Sequence, residues 1–386
     1  MDFTLNEEQI MLRKTVARFV EKEVKPIAEE IDREAKWPEG MWKKLSDLGI
    51  MGVCVDPEYG GSGCDVITVG LVNEELAKVC PAVAMSWATH ANLCSDNLNR
   101  NANDEQKRKF LPYLASGEHI GALALTEPNA GSDAVSIQTS ARKDGDYYVI
   151  NGSKMFITNG PVANTIIVYT KTDKSAGAKG ITAFILDTKS PGFSVSREIH
   201  KVGNRASQTG ELVFEDCRIP AENILGEVNR GVAVMMSGLD VERTVMSFLL
   251  LGNAEGAFAE ALKYSKERVQ FGKPIGSFQL IQAKLADMYT QIEAARLLCY
   301  SAAITAEKAH GGGKGTEVHL KAAAAILFAG EMANKVCDEA VQIHGGYGYC
   351  LEYPVQRLWR DARLGTIGAG TSEMRRLIIG RELMKI

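Results

Sequence analysis

A chain of 386 residues, 45% hydrophobic and 24% charged, has the size and balance of a globular protein with two or three packed units. Its formal charge of −4 gives no general attraction to nucleic acid or to an anionic membrane, so no nucleic acid partner is expected. No stretch reaches the roughly 18 consecutive apolar residues of a membrane span, and the run Ala322–Gly330 is stopped by Glu331, so no membrane insertion is expected.

Residues 1–120 read as helices. Asn6 with Gln9 has the pattern of an N-terminal cap, and Leu12, Val16, Phe19, Val20 and Val24 follow at helical spacing until Pro26. A helix over Met41–Leu48 closes at Gly49, and Pro57–Gly63 is too glycine-rich to hold a helix. Val69–Val79, Pro81–Leu98 and the charged segment Asp104–Phe110 are helical again. At Ile120 the period changes to that of strands. Tyr147–Ile150 and Met155–Thr158 flank Asn151-Gly152, the residue pair of a tight hairpin turn. Thr165–Thr170, Ile181–Leu186, Phe193–Ile199 and Glu211–Phe214 are further strands. From about Gly231 the helical period returns over 233–268, 277–310 and 316–343, split at Gly272-Lys273-Pro274 and at His310–Gly313. Gly345-Gly346 ends the third of these, and a last helix begins near Thr371. The expected domains are 1–120 helical, 121–227 all-β and 228–386 helical, an α+β organisation.

The eight cysteines contain no C-x-x-C pair, so free thiols in a reducing compartment are expected. None of the six histidines has metal or triad spacing, and no metal site is expected. The start of the chain shows neither signal-peptide nor transit-peptide character, which points to the cytoplasm; removal of a transit peptide would point to the mitochondrial matrix.

The informative stretch is Leu123–Asp133, where a short apolar run stops at Thr126-Glu127-Pro128 and gives way to Asn129-Ala130-Gly131-Ser132. Taken alone it is either an ordinary strand-to-loop turn or a loop that offers N–H and hydroxyl groups to a polar cofactor. Together with Asn151–Gly160 it resembles the flavin-binding middle domain of the acyl-CoA dehydrogenases. The resemblance extends through Glu267–Ile275 with Phe278-Gln279, through Gln342–Tyr349, through Arg360–Arg363 and through Ile367–Glu373. Several long motifs in the right order cover essentially the whole chain.

That resemblance implies FAD as cofactor, an acyl-CoA substrate, electron-transferring flavoprotein as acceptor, and a homotetramer. It implies the family fold, with a helical N-terminal domain, a β-barrel-like middle domain and a C-terminal four-helix bundle. Leu123, Leu125, Thr126, Gly131, Ser132, Phe156, Ile157 and Thr158 would line the flavin ring, with Phe156 standing where most relatives have Trp. Arg268, Gln279, Gln342, Ile343, Gly345 and Gly346 would hold the pyrophosphate and adenine across a subunit interface; Thr371, Ser372 and Glu373 complete the flavin contacts. Ser132, Lys179, Ala233, Asp240, Arg243, Gly368, Ala369 and Gly370 match substrate-side positions.

The reaction requires a base for the α-proton. Many relatives carry it as a Glu immediately before Gly-Thr-Ser-Glu, where this chain has Ala369. Glu242, in Ser237–Arg243, resembles the base of the isovaleryl-CoA dehydrogenase branch, whose C-terminal motif also reads Gly-Ala-Gly-Thr-Ser-Glu. A solvated, ion-paired helix carboxylate is the ordinary alternative. The Ala369 N–H would polarise the thioester carbonyl, and Gly368-Ala369 clears space for a branched acyl group. A cyclic, aryl or benzylsuccinyl-type acyl-CoA stays open, whereas Pro81–Ala84 lacks the arginine of glutaryl-CoA enzymes. A non-catalytic acyl-CoA or FAD binder and an acyl-CoA oxidase are the other readings. Trp87, Leu93, Ala233 and Gly368 are expected to shape the pocket, and His90 to lie on a helix that lines it.

Overall fold

A computed structural model describes residues 3–309 and 315–384; the break expected at His310–Gly313 lies outside them. Helix α1 (Glu7–Phe19) starts with the expected reciprocal cap, Gln9 N–H donating to Asn6 Oδ1 at 2.8 Å and Asn6 N–H to Gln9 Oε1 at 3.0 Å. A wider π turn, Val20–Val24, and the Pro26 turn lead to α2 (Ala28–Glu34) and α3 (Met41–Asp47). Helix α4 (Val66–Ala77) is capped by Asp65, and α5 (Pro81–Ala88) begins on its proline, whose missing N–H costs nothing there. The chain stays helical through a π stretch, Thr89–Asp96, into α6 (Asn97–Asn101); α7 (Asp104–Ser116) is capped by Asn103 and Gln106.

The middle of the chain is one sheet of β1 (Gly121–Ala124), β2 (Ser140–Asp144), β3 (Tyr147–Thr158), β4 (Thr165–Lys171), β5 (Ile181–Asp187), β6 (Phe193–Glu198), β7 (Thr209–Pro220) and β8 (Ile224–Leu225). Its hydrogen-bonded order is β6-β7-β3-β2-β4-β5-β8, with β1 added parallel to β4. The β2–β4 link is the single pair Ser140–Lys171, so the sheet folds there, and Ile150, Ile166, Phe184, Leu212 and Phe214 pack in the interior. The hairpin expected at Asn151-Gly152 is absent, because β3 runs straight through it. Asn151 instead exchanges hydrogen bonds with Asp216 of β7 at 2.9 and 3.0 Å, and Gly152 occupies a bulge at φ +142°. The turn lies one segment earlier, where Asp144 pairs with Tyr147 across Gly145-Asp146. Gly145, at φ +60°, supplies the backbone freedom this turn requires.

Helix α8 (Gly231–Glu267) is followed by the small ladder β9 (Val269–Gln270) and β10 (Lys273–Pro274). Then come α9 (Gln279–Lys308), α10 (Glu317–His344), the unexpected short helix α11 (Pro354–Ala362), and α12 (Ser372–Met384). Helix α8 packs on α4, α9 and α10, so both helical ends of the chain share one core containing Trp87, Leu76, Phe248, Leu251 and Met332. Among the described residues no helix is long and apolar enough to cross a membrane.

The approach of α8 to α4 depends on two glycines one turn apart. A Cβ at Gly252 would stand 2.1 Å from the Glu74 carbonyl oxygen, and one at Gly256 1.9 Å from that of Lys78. Gly252→Val therefore forces the helices apart. The expected loss is about 3 kcal/mol, read as a lowered urea midpoint; an unchanged midpoint contradicts the close approach.

Candidate active site

The end of β1 and the start of the next loop are anchored from below by a buried ion pair. Lys154 on β3 is fully buried; its Nζ donates to Glu127 Oε1 at 2.8 Å and to the Leu125 carbonyl at 2.9 Å. Burial pushes the Lys154 ammonium down to about 8 despite that partner. Glu127 also accepts the N–H groups of Gln138 and Thr139 at 2.6 and 3.0 Å, closing the loop on itself. Within the loop Gly131 and Ser132 are exposed, and the adjacent turn Ala134–Ser136 lies against Gly177–Gly180, which carries exposed Lys179.

Across from Thr126, β3 bulges. Met155 N–H donates to the Thr126 carbonyl at 2.8 Å, and the next residue, Phe156, sits at φ +61° with 63% of its surface exposed. A bulky residue at positive φ is rare, and an aromatic face held in the open invites a planar ligand. Leu123 and Thr158 are partly exposed, while Leu125 and Ile157 are buried in the cores behind them. Among the described residues the hydroxyls of Thr126 and Thr158 have no hydrogen-bond partner. An exposed ring flanked by free hydroxyls fits the polar edge and flat face of a flavin.

Glu242 lies on α8, partly buried. Burial pushes its carboxyl up to about 7, only partly opposed by the charges of Arg243 and Arg375. Among the described residues it makes no hydrogen bond and no ion pair, which leaves the carboxylate available to a ligand. Arg243 cannot neutralise it directly: its Nη1 is committed to Asp240 at 2.8 Å, and Asp240 also pairs with His319 Nδ1 at 2.8 Å. Asp240 is fully buried, so the structure gives it to Arg243 and His319 and not to a solvent-facing substrate site.

Arg243 Nε reaches the Ala369 carbonyl at 3.5 Å, which ties the loop before α12 to the helix of Glu242. The same loop is held by Arg375, a fully buried residue that sequence reasoning missed. Its guanidinium donates to the carbonyls of Gly365 at 2.6 Å and Gly368 at 2.5 Å. Ala369 is thereby kept at φ +55° and Gly370 at φ +92°. Among the described residues no acceptor meets the Ala369 N–H. The atoms nearest a Cβ at Gly368 would belong to Leu364, its side chain at 3.4 Å in ordinary van der Waals contact. Thr371 caps α12, with Met374 N–H donating to its Oγ1 at 3.3 Å; Ser372 is buried with an unpartnered hydroxyl, and Glu373 is exposed on the first turn.

A second group gathers at the far end of α8. The Arg268 guanidinium lies 5.3 Å from the Tyr347 ring centre, and Tyr264 stacks on His344 at 4.3 Å. Gln279, Gln342, Gly345 and Gly346 are exposed around it, while Ile343 is buried in the core. Phe271, Leu280 and Tyr349 leave 93%, 80% and 85% of their surfaces uncovered beside this group. Ala233 is exposed at the start of α8. Two expected pocket residues are structural: Trp87 is buried with Nε1 donating to the Ile50 carbonyl at 3.0 Å, and His90 is buried between the Leu114 carbonyl and the Gly121 N–H. Burial pushes the imidazole of His90 down to about 4, and Nδ1 accepts from Gly121, so it is neutral and stays out of proton transfer near neutral pH.

Three family profiles match in order: acyl-CoA dehydrogenase, N-terminal domain, over 6–118; middle domain, over 122–217; and C-terminal domain, over 229–384. The mitochondrial isovaleryl-CoA dehydrogenase of Pongo abelii is 48% identical over 381 residues, 98% of this chain and 89% of that protein. The short-chain-specific acyl-CoA dehydrogenase of Clostridium acetobutylicum is 45% identical over 385 residues, all of both chains. A solved chain described under "Electron transferring flavoprotein of Acidaminococcus fermentans: Towards a mechanism of flavin-based electron bifurcation" superposes with a TM-score of 0.96 at 43% identity, covering both chains fully.

Proposed function

The chain belongs to the acyl-CoA dehydrogenase family, FAD-dependent oxidoreductases acting on CH–CH bonds, and on that premise we propose that it desaturates a short branched, isovaleryl-type acyl-CoA with Glu242 as the base. The observation that carries this reading is the pairing of Ala369, which has no carboxylate, with a partly buried Glu242 on α8 that makes no ion pair among the described residues. Bound FAD supplies the acceptor for the hydride that leaves the β-carbon. Glu242 takes the α-proton, and the Ala369 N–H donates to the thioester oxygen, so that negative charge developing there is stabilised. Arg375 and Arg243 hold the Ala369 loop and tie it to the helix of Glu242, and Phe156 gives the flavin ring a flat apolar face. Ser132 and Lys179 lie on adjoining loops suited to the CoA chain; Ala233 and Gly370 are proposed to border it.

Arg268, Gln279, Gln342, Gly345 and Gly346 hold the FAD pyrophosphate and adenine across a subunit interface, and Thr371, Ser372 and Glu373 complete the flavin contacts. The uncovered Phe271, Leu280 and Tyr349 support a homotetramer. Electron-transferring flavoprotein is the proposed acceptor, supported by the Acidaminococcus fermentans likeness, and a reducing cytoplasm by the eight free thiols.

Because the base must be ionised, kcat/KM is expected to fall below about pH 7, the pKa to which burial raises Glu242. A limb near pH 4.5 contradicts a buried base. The substrate is tested by comparing kcat/KM for isovaleryl-CoA and butyryl-CoA. A preference of about tenfold or more for the branched group is expected, since one extra methyl in an apolar pocket contributes on that scale; a preference for butyryl-CoA makes the chain a straight-chain enzyme.

A further inference from the structure

We propose that Lys154, to which the sequence reading gave no role of its own, is a positioning residue that aims the Thr126 N–H at the flavin. The inference rests on the flavin-site reading above. The Leu125–Thr126 peptide is trans, so its C=O and N–H point in opposite directions. Lys154 Nζ holds that C=O at 2.9 Å from inside the sheet, and the N–H is thereby turned outward. Among the described residues no acceptor meets this N–H. The next peptide is held by a separate bond, Met155 N–H to the Thr126 carbonyl at 2.8 Å, which also sets the bulge that exposes Phe156. The buried ammonium thus fixes a donor for the flavin's polar edge, and the neighbouring Met155 bond fixes the strand that presents its ring platform.

Sheet stability alone does not call for this arrangement. A fully buried lysine costs desolvation that apolar packing avoids, and replacing a buried pair by apolar groups is often neutral or stabilising. The pair instead acts through direction: Glu127 holds the ammonium in place at 2.8 Å while the ammonium holds the peptide.

The test is the double variant Lys154→Met, Glu127→Gln, which removes the bond to Leu125 without leaving an unpaired charge. The FAD-bound protein is expected to keep its far-UV circular dichroism. Its visible flavin spectrum should shift, its midpoint potential should become more negative as a donor to the reduced flavin is lost, and kcat should fall at least tenfold with KM within about threefold. If this variant does not fold, Lys154→Gln, Glu127→Gln keeps an N–H donor near the carbonyl and should show the same shifts at smaller size. An unchanged spectrum and potential in a folded variant makes Lys154 structural only and overturns the proposal. Because these two readouts need only bound flavin, they stand apart from the dehydrogenase reading, which fails instead if the unmodified protein's flavin is not reduced by any acyl-CoA.

Discussion

Glu242→Gln is expected to lower kcat by about 10²- to 10⁴-fold, the range for loss of a positioned proton acceptor, and to leave binding nearly intact. Gln has the size and polarity of Glu but cannot accept the α-proton. The substitution should not disturb the fold, because Glu242 makes no hydrogen bond or ion pair among the described residues. It also removes a carboxyl held near 7 by burial, so stability changes little or rises at alkaline pH. The sign follows from linkage: a carboxyl raised from about 4.5 to about 7 binds its proton more tightly in the folded state. Its ionisation therefore costs stability progressively from pH 4.5 to 7 and fully above it. The check is steady-state turnover with an artificial electron acceptor, beside titration with the enoyl-CoA product. Turnover within tenfold of the unmodified enzyme contradicts the role; lost product binding shows that the substitution disturbed the pocket.

Arg375→Met has the second large effect and acts at a distance. The fully buried guanidinium satisfies the carbonyls of Gly365 and Gly368, and methionine leaves both without a donor. A loss of about 2 kcal/mol is expected, below the full cost of two unsatisfied carbonyls because a buried cation is removed as well. The functional loss is larger than the structural one. Ala369 is held at φ +55° by this loop, and displacing its N–H by about 1 Å costs on the order of 10²-fold in kcat. Arg375 is also one of the two cations that lower the Glu242 carboxyl. Its removal should therefore move the acid limb of the kcat/KM profile to higher pH. A limb that stays in place contradicts the electrostatic link even where activity falls.

These two residues show what could be read from the sequence. Glu242 stands out in the sequence as a candidate base because a carboxylate is missing at Ala369 and an extra one stands on the long helix α8. Arg375 does not. It neighbours Arg376 in one polar turn, yet Arg375 is buried on backbone carbonyls while Arg376 is exposed beside Glu331. Only the packing of α10 and the Gly365–Gly370 loop separates them. Lys154 was hidden for the same reason: its burial comes from the sheet folding over β1 and not from its neighbours in sequence. Local rules worked where local bonds decide, as at the Asn6–Gln9 cap of α1. They failed at Asn151-Gly152, where pairing with β7 overrode a strong turn signal, and at Asp240, whose partner His319 is 79 residues away.

Oxidation of an acyl-CoA at the flavin of this chain is tested most directly by anaerobic rapid mixing of the FAD-bound protein with isovaleryl-CoA while the flavin's visible absorbance is followed. Rapid bleaching is expected in the unmodified protein, with none on the same timescale in Glu242→Gln. A flavin that stays oxidised with isovaleryl-, butyryl- and cyclic acyl-CoA thioesters, in a protein that binds them, contradicts the account and leaves a binder without the chemistry.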